Sequence, residues 1–542
     1  MNWLLQSIGA HAKTSPSATA VRFKSESLDY GELEAASNRL AHLLIDMGCR
    51  RGARVALLMP KQPMAIVGML AVLKTGGAYV PLDPAGPASR LARMMESSDC
   101  QILLAAGPVG SMLQDVLSSA RLERMPAIGW LQDDIPETQS LPAAVFSLKD
   151  THSSPGTPPT CVSADADLAH ILFTSGSTGK PKGVMISCGN VAAFIRWAIR
   201  YFGIGPDDRV SQHSPLHFDL STFDIYGALC SGAEVNLVPS EFNLLPHKLA
   251  QFIRDSHLTQ WFSVPSVLNL MSSYGAVGQN DFSELRRVMW CGEAIPAATL
   301  MKWMRHLPHV QFTNLYGPTE ATIASSYYTV PRPTGEHAVV PIGRPCEGEE
   351  LLVLDKELQP CPPGETGDLY ILGAGLSPGY WRDQEKTESA FLHYKTEAGL
   401  PDRMYKTGDI ARLGTDGLVY FLGRADTQIK SRGYRIELGE IEAAANAIGC
   451  VAECAVVAIP SNGFEGTSIC CAFSMPPGLE VPISDLIRQL RSLLPAYMIP
   501  GRWQALKELP KNANGKIDRP ALRQLFLDSE GAITRSDTGV ST

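Results

Sequence analysis

A chain of 542 residues is longer than one hydrophobic core usually supports, so several structural lobes are expected. With 45% apolar and 19% charged residues it has the balance of a globular protein, which speaks against general disorder. A net charge of -8 without any basic run gives no sign of an electrostatic nucleic-acid or membrane surface, so no nucleic acid and no membrane partner is expected and small polar ligands must be met by local sites. The N-terminal "MNWLLQSIGAHAKTSP" lacks the basic region and apolar run of a leader. No span approaches the roughly 20 apolar residues of a membrane helix. The longest candidate, "MAIVGMLAVL" from Met64 to Leu73, reads as a buried helix, and a cytoplasmic location is expected.

From Leu28, "LDYGELEAASNRLAHLLIDMG" repeats apolar residues at three and four places, which predicts an amphipathic helix, and "RVALLMP" predicts a buried strand after it. The alternation continues through "CQILLAA", "AHILFTS", "RVSQHSP", "AEVNLVP", "TQWFSVP" and "RRVMWCG". The fold class is therefore α/β, a large N-terminal core of layered, largely parallel sheets and helices. Between about Gly107 and Ala164 the pattern weakens into Pro/Ser/Asp-rich text, expected to be a surface excursion. From Pro341 the character changes to Gly- and Pro-punctuated short strands, a β-rich subdomain over about 341–425. Then "GRADTQIKSRGYRIELGEIEAAANAI" predicts a hairpin leading into a helix, with a boundary near Asp426. The expected layout is an N-terminal core over 1–425, a small C-terminal α+β domain over 426–527 and a polar, disordered tail over 528–542. The 12 Cys have no zinc-like spacing and are expected to be reduced thiols.

The stretch with the densest chemistry is "LFTSGSTGKPKGV", Leu172 to Val184. A nucleotide P-loop needs a Gly separated by four residues from Gly-Lys and Ser or Thr straight after the Lys; Gly179-Lys180 has Thr174 and Pro181 there, so it is not a P-loop. Glycines let backbone N–H groups approach an anion, hydroxyls add donors, and Lys180 and Lys182 add positive charge. On its own residues the loop reads either as an anion cradle or as a solvated turn.

This loop resembles the phosphate loop of the adenylate-forming superfamily, which includes acyl-CoA synthetases, luciferases and the adenylation domains of nonribosomal peptide synthetases. Further stretches resemble the peptide-synthetase branch in its usual order: "LDYGELEAASNRLA", "LKTGGAYVPLDP", "FDLSTFDIYGAL", "NLYGPTEATIAS", "GDLYILGAGLSPGYW", "YKTGDIARLGTDGLVYFLGR", "KSRGYRIELGEIE" and "LPKNANGKIDRPAL". The likeness covers about residues 10 to 525. It implies ATP and Mg²⁺ as cofactors and a small C-terminal domain that is mobile.

The resemblance also implies site residues. Thr174, Ser175, Gly176, Ser177, Thr178, Gly179 and Lys182 would cradle phosphates, and Gly292, Glu293 and Ala294 would line the base. Asn314, Tyr316 and Gly317 would complete the nucleoside side, with Tyr316 flanking the adenine. Thr319 would contact phosphate or the metal shell, and Glu320 would be the metal ligand. Asp409 would take both ribose hydroxyls, a task needing two acceptor oxygens, with Phe421 and Arg424 beside it. Lys516 would bridge substrate carboxylate and α-phosphate, although a Lys in an Asn/Gly turn otherwise reads as solvent-facing. Asp426 resembles the family hinge and Lys430 a residue serving thiolation.

Asp219 in "HFDLSTFD" resembles the carboxylate aimed at a substrate ammonium; by residue type alone it equally suits the N-cap of a helix starting near Ser221. The implied lining is Leu220, Phe223, Phe262, Met289 and Cys291, then Leu315, Ile323 and Ala324. Between Asp219 and Lys516 every one of these is apolar, so a polar substrate side chain would be left unpaired. This resembles stand-alone enzymes that load L-proline, and a format for β-amino acids is the alternative. No carrier-type Ser motif follows Lys516 and there is no His-His-x-x-x-Asp motif, so the expected partner is a separate peptidyl carrier protein bearing phosphopantetheine. An acyl-CoA synthetase has no need of Asp219, and an inactive relative would be expected to lose Glu320, Asp409 or Lys516, all of which are present.

Overall fold

The computed structural model describes residues 2–133, 145–160, 163–176, 180–331, 339–395, 401–461, 463–476, 479, 481–512 and 516–536. The chain forms two compact units. Met1–Pro84, Leu91–Phe173 and Lys182–Ala425 make the first; Ala85–Arg90, Thr174–Pro181 and Asp426–Thr542 make the second.

In the first unit, strands that read as unbroken apolar runs, such as Arg54–Leu58, Ala78–Leu82 and Ile102–Ala105, are buried along nearly their whole length and pair in parallel. They are the middle of an eight-stranded sheet, in the order Gly379–Tyr380, Lys182–Ser187, Leu168–Thr174, Ala78–Leu82, Arg54–Leu58, Ile102–Ala105, Ala127–Trp130 and Val145–Ser147. The last two strands, with the helix Gly110–Ser119, correct the expectation of a surface excursion over Gly107 to Ala164. Strands of four and three residues are too short to show a period.

A nine-stranded sheet runs Arg344–Pro345, Ser326–Thr329, Gln311–Tyr316, Arg287–Trp290, Gln260–Ser263, Arg209–Gln212, Glu234–Leu237, Thr19–Phe23 and Glu26–Asp29. It is parallel from Gln311–Tyr316 to Thr19–Phe23 and antiparallel at both ends. The helix Tyr30–Asp46 starts on a capping box in which the Glu32 N–H donates to Asp29 Oδ1 (2.7 Å) and the Asp29 N–H to Glu32 Oε2 (2.9 Å). Met64 to Leu73 lie in the helix Pro63–Lys74, buried almost throughout. Among the described residues no helix is long and apolar enough to cross a membrane. An antiparallel sheet of Glu349–Leu354, Thr366–Gly373, Pro401–Leu413 and Phe391–Lys395, with Val419–Arg424 on Pro401–Leu413, forms the β-rich part.

The second unit contains the hairpin Gln428–Ser431 and Tyr434–Glu437. Its two-residue turn has Arg432 at φ 53° and Gly433 at φ 80°, both positive as a type I′ turn demands. The strands Glu453–Pro460, Thr467–Ser474 and Arg502–Ala505 form a sheet whose faces alternate. Val456 and Phe473 pack toward Ile441 and Leu490, while Ala455 and Val457 pack toward Leu522 and Phe526. The last helix, Arg519–Ser536, continues beyond Leu527 into the segment expected to be a disordered tail. The helix formers Leu522, Arg523, Gln524 and Leu525 lie before that point, and Arg502 secures the turn that crosses it by donating to the Phe526 carbonyl (2.8 Å) and Ser529 Oγ (2.6 Å). Residues 537–542 lie outside the described residues. The described cysteines are all free thiols, buried except for Cys361 and Cys450.

Candidate active site

Four adjacent parallel strands, Arg209–Gln212, Gln260–Ser263, Arg287–Trp290 and Gln311–Tyr316, end on one side of the nine-stranded sheet. The segments leaving those ends carry Asp219, Cys291 to Ala294 and Gly317 to Ala324, the place where open α/β sheets bind ligands. Past Gln311–Tyr316 the chain doubles back so closely that a Cβ on Gly317 would lie 2.5 Å from Ala324 Cα. A 3₁₀ turn, Thr319–Ala321, is followed by Thr322 at φ 54° and Ile323 at φ 71°. Positive φ is strained for β-branched residues and persists only when surroundings hold it. Here Thr322 Oγ1 donates to the Gly375 carbonyl (2.7 Å) and the Ser325 N–H to the Tyr316 carbonyl (2.8 Å).

That turn sets Glu320, which is fully buried. Its Oε1 accepts from Lys182 Nζ (2.9 Å) and from the Tyr380 hydroxyl (2.8 Å). Thr319, next to it, donates to Asp219 Oδ2 (2.7 Å). Asp219 is 9% exposed, and its side chain makes no capping bond to the short helix Leu220–Thr222, so the N-cap alternative does not hold. The other acid of "HFDLSTFD", Asp224, is fully enclosed, and burial pushes its carboxyl well above the usual range.

Asp409 is buried with both oxygens engaged: Oδ1 accepts from Arg424 Nη1 (2.5 Å) and Oδ2 from the Tyr316 hydroxyl. The Asp409 N–H donates to Thr407 Oγ1 (3.0 Å). Burial, reinforced by the Asp409 charge, holds the Tyr316 phenol well above its ordinary value, so it stays a neutral donor. A carboxylate has about four lone-pair positions, so acceptor capacity remains for two further hydroxyls. Phe421 packs half-buried against the cluster containing Tyr316 and Ala321. Asn314 donates to the Pro341 carbonyl (2.8 Å). Glu293 accepts from the Ser266 N–H (3.1 Å), between Gly292 at φ 97° and an exposed Ala294.

The expected lining residues are all part of the first unit's main apolar core, which also takes in residues as far apart in the chain as Leu4 and Tyr405. Leu220, Phe223, Phe262, Met289, Cys291, Leu315, Ile323 and Ala324 belong to one buried cluster. Phe223 meets Phe262 edge-on at 5.3 Å and Phe194 at 5.5 Å.

The remaining expected residues fall in the second unit. Thr174 Oγ1 is buried and has no hydrogen-bond partner among the described residues, so a ligand acceptor would suit it. Ser175 Oγ donates to the Arg435 carbonyl (2.7 Å) and the Gly176 N–H to Glu440 Oε2 (3.2 Å). Ser177, Thr178 and Gly179 lie outside the described residues. Asp426, exposed, accepts from the Gln428 N–H (3.0 Å). Lys430 is half-buried on the hairpin opposite Arg435. Lys516 is exposed in a turn closed by the Asn512 N–H on its carbonyl (2.7 Å).

Among the described residues no group of three or more His, Cys, Asp or Glu side chains could form a metal cage. A lone buried carboxylate beside a threonine hydroxyl does fit Mg²⁺, which is usually held by one or two carboxylates, substrate phosphates and water. Sequence reasoning passed over Tyr380 and Thr407, although both stand in motifs it used, the first in "GYW" and the second in "YKTGD".

The family model described as AMP-binding enzyme matches residues 8–381, and that described as AMP-binding enzyme C-terminal domain matches residues 440–516. Tyrocidine synthase 3 of Brevibacillus parabrevis is 35% identical over 521 residues, 96% of this chain but 8% of its own length. The chain thus spans a small part of that relative. The L-proline–(L-prolyl-carrier protein) ligase of Streptomyces coelicolor is 35% identical over 510 residues, 93% of each chain. Among solved structures, the Vibrio cholerae adenylation domain AlmE in complex with glycyl-adenosine-5'-phosphate matches with a TM-score of 0.84 and 28% identity over 97% of each chain.

Proposed function

Since the chain belongs to the AMP-binding enzyme family, we propose that it activates an apolar amino acid, L-proline, as its adenylate and passes it to the phosphopantetheine thiol of a carrier protein. The observation that carries this reading is Asp219, a nearly buried carboxylate adjoining a cluster that is otherwise apolar. A substrate ammonium would suit a nearly buried carboxylate, and the apolar lining expected beside it would leave a polar substrate side chain unpaired, so an amino acid with an apolar body fits. A secondary ammonium in a compact ring meets both conditions. The relative named as a prolyl-carrier protein ligase, matched over nearly the whole of both chains, supports the same choice and the carrier acceptor.

In this reading an oxygen of the amino acid's carboxylate attacks the α-phosphorus of ATP, the bond to the β-phosphate oxygen breaks, and pyrophosphate leaves with the electron pair. Asp219 accepts from the ammonium and Asp409 from the ribose hydroxyls, which fixes the two reactants. Lys182 and the loop from Thr174 to Gly179 take phosphate oxygens, while Gly292, Glu293, Ala294, Asn314 and Gly317 line the nucleoside. Glu320 and Thr319 would hold Mg²⁺, which when bound neutralises triphosphate charge. Lys516 donates to the oxygens on which negative charge grows. In the second step the carrier's thiolate attacks the adenylate carbonyl and AMP leaves, with Asp426 as the hinge into that pose and Lys430 serving it.

The test is pyrophosphate exchange with saturating ATP and Mg²⁺ across proline, leucine, alanine, pipecolate and a set of β-amino acids. Proline is expected to be the best of these. A β-amino acid preferred by more than tenfold would replace proline and keep Asp219's role, and strong activation of a simple fatty acid would overturn both.

A further inference from the structure

Two partners of Glu320 among the described residues are Lys182, a cation, and Tyr380, a neutral hydroxyl. Tyr380 lies on the two-residue strand Gly379–Tyr380, which pairs antiparallel with Lys182–Ser187 so that Tyr380 stands opposite Val184. Val184 and Lys182 share a face of their strand, which brings the ring of Tyr380 under the lysine. Lys182 Nζ lies 4.6 Å from the ring centroid and donates to the Tyr380 oxygen (3.2 Å), while the Tyr380 hydroxyl donates to Glu320 Oε1 (2.8 Å). One hydroxyl hydrogen and one lone pair account for both contacts.

The ring is clamped. The Tyr380 N–H donates to Thr387 Oγ1 (3.0 Å), the ring meets Phe391 edge-on at 6.0 Å, and a Cβ at Gly379 would lie 2.4 Å from Thr387 Cγ2. The Glu320 backbone is held as well, its carbonyl accepting the Ser377 N–H (2.9 Å). Lys182, by contrast, ends a flexible side chain, and the proposed phosphate contact would draw its ammonium away from Glu320. A fully buried carboxylate that loses its counter-ion is strongly destabilised unless another donor stays on it.

We propose that Tyr380 is a positioning residue for Glu320, its clamped hydroxyl keeping the carboxylate aimed at the cation site while its ring face seats Lys182 and releases it toward the nucleotide. This rests on the adenylation reading above. The consequence is that Tyr380 governs how much Mg²⁺ the protein needs to bind nucleotide, rather than how well it binds nucleotide without metal.

The experiment is calorimetric binding of a non-hydrolysable ATP analogue to the full chain over a Mg²⁺ titration and in EDTA, comparing wild type, Tyr380→Phe and Tyr380→Leu. Tyr380→Phe keeps the ring and loses the hydroxyl; its Mg²⁺ midpoint should rise about tenfold, the size of one hydrogen bond to a charged group, with metal-free binding within about twofold of wild type. Tyr380→Leu should raise the midpoint further. A Tyr380→Phe midpoint within twofold of wild type overturns the proposal and leaves Tyr380 as packing alone. A wild type whose nucleotide binding ignores Mg²⁺ overturns the functional reading, and this proposal with it.

Discussion

Thr319 has one hydroxyl hydrogen and two claims on it. The structure spends it on Asp219, at 2.7 Å, and a phosphate contact, one of the two roles the resemblance implies for Thr319, would need the same hydrogen, whereas a metal would take a lone pair. A hydroxyl cannot donate to both at once, so in the proposed reading Thr319 would join the amino acid side of the site to the nucleotide side. Hydrogen bonds to charged groups contribute about 1.5–3 kcal/mol, and losing this one frees the Asp219 carboxylate to turn away from an ammonium. Thr319→Val is therefore expected to raise the KM for the amino acid at least about tenfold, with Thr319→Ser restoring most of it. Steady-state kinetics with each substrate varied in turn is the check; an effect on the KM for ATP alone would mean that the hydroxyl serves only phosphate.

Elements impose limits that single residues do not reveal. Phe223 was expected as pocket lining, and its ring is also a plug of the core, in contact with Phe194, Phe202 and Phe262. The segment it sits on, Phe223–Gly227, winds as one π-helical turn, and a Cβ on Gly227 would stand 3.0 Å from the Phe223 ring. Phe223→Ala should thus lower stability by about 3–5 kcal/mol as well as enlarge the substrate space. Urea denaturation of the variant is the measurement, and a loss under about 1 kcal/mol would show that the ring borders open space rather than filling the core. Any shift toward larger apolar substrates is better sought in Phe223→Leu, which keeps more of the volume.

Across the first unit, Glu349 ties the antiparallel sheet to the strained turn. Its Oε1 accepts the Gly375 N–H (2.7 Å), and the Gly375 carbonyl accepts the hydroxyl of Thr322 (2.7 Å). Burial pushes the Glu349 carboxyl from its ordinary 4.5 up to about 8, opposed only in part by the Gly375 N–H. A carboxyl whose folded-state value is raised binds more protons folded than unfolded between those two pH values. Its contribution to stability is complete below pH 4.5 and is lost as pH rises through about 8. Glu349→Gln should flatten the fall in stability between about pH 5 and 8. Chemical denaturation at several pH values checks this, and an unchanged slope would show that the carboxyl titrates normally.

Much of this molecule was legible along the chain. The helix from Tyr30 to Asp46, burial of the helix Pro63–Lys74 and the parallel character of strands such as Ala78–Leu82 follow from residue type and period, because periodicity records how a residue's own surroundings alternate between core and water. Family membership was legible too, since it rests on ordered motifs that need no coordinates. What remained hidden was pairing between distant segments. Nothing local to Lys182 says that its ammonium meets Glu320, 138 residues on, and the hydroxyl of Tyr380, 198 residues on. Nor do "AIGW" and "VFS", short strands in polar text, announce that they extend a sheet. Those facts depend on strand order and register, which are decided by the mutual packing of all the elements, and a one-residue slip in register would have turned Tyr380 away from Glu320 altogether.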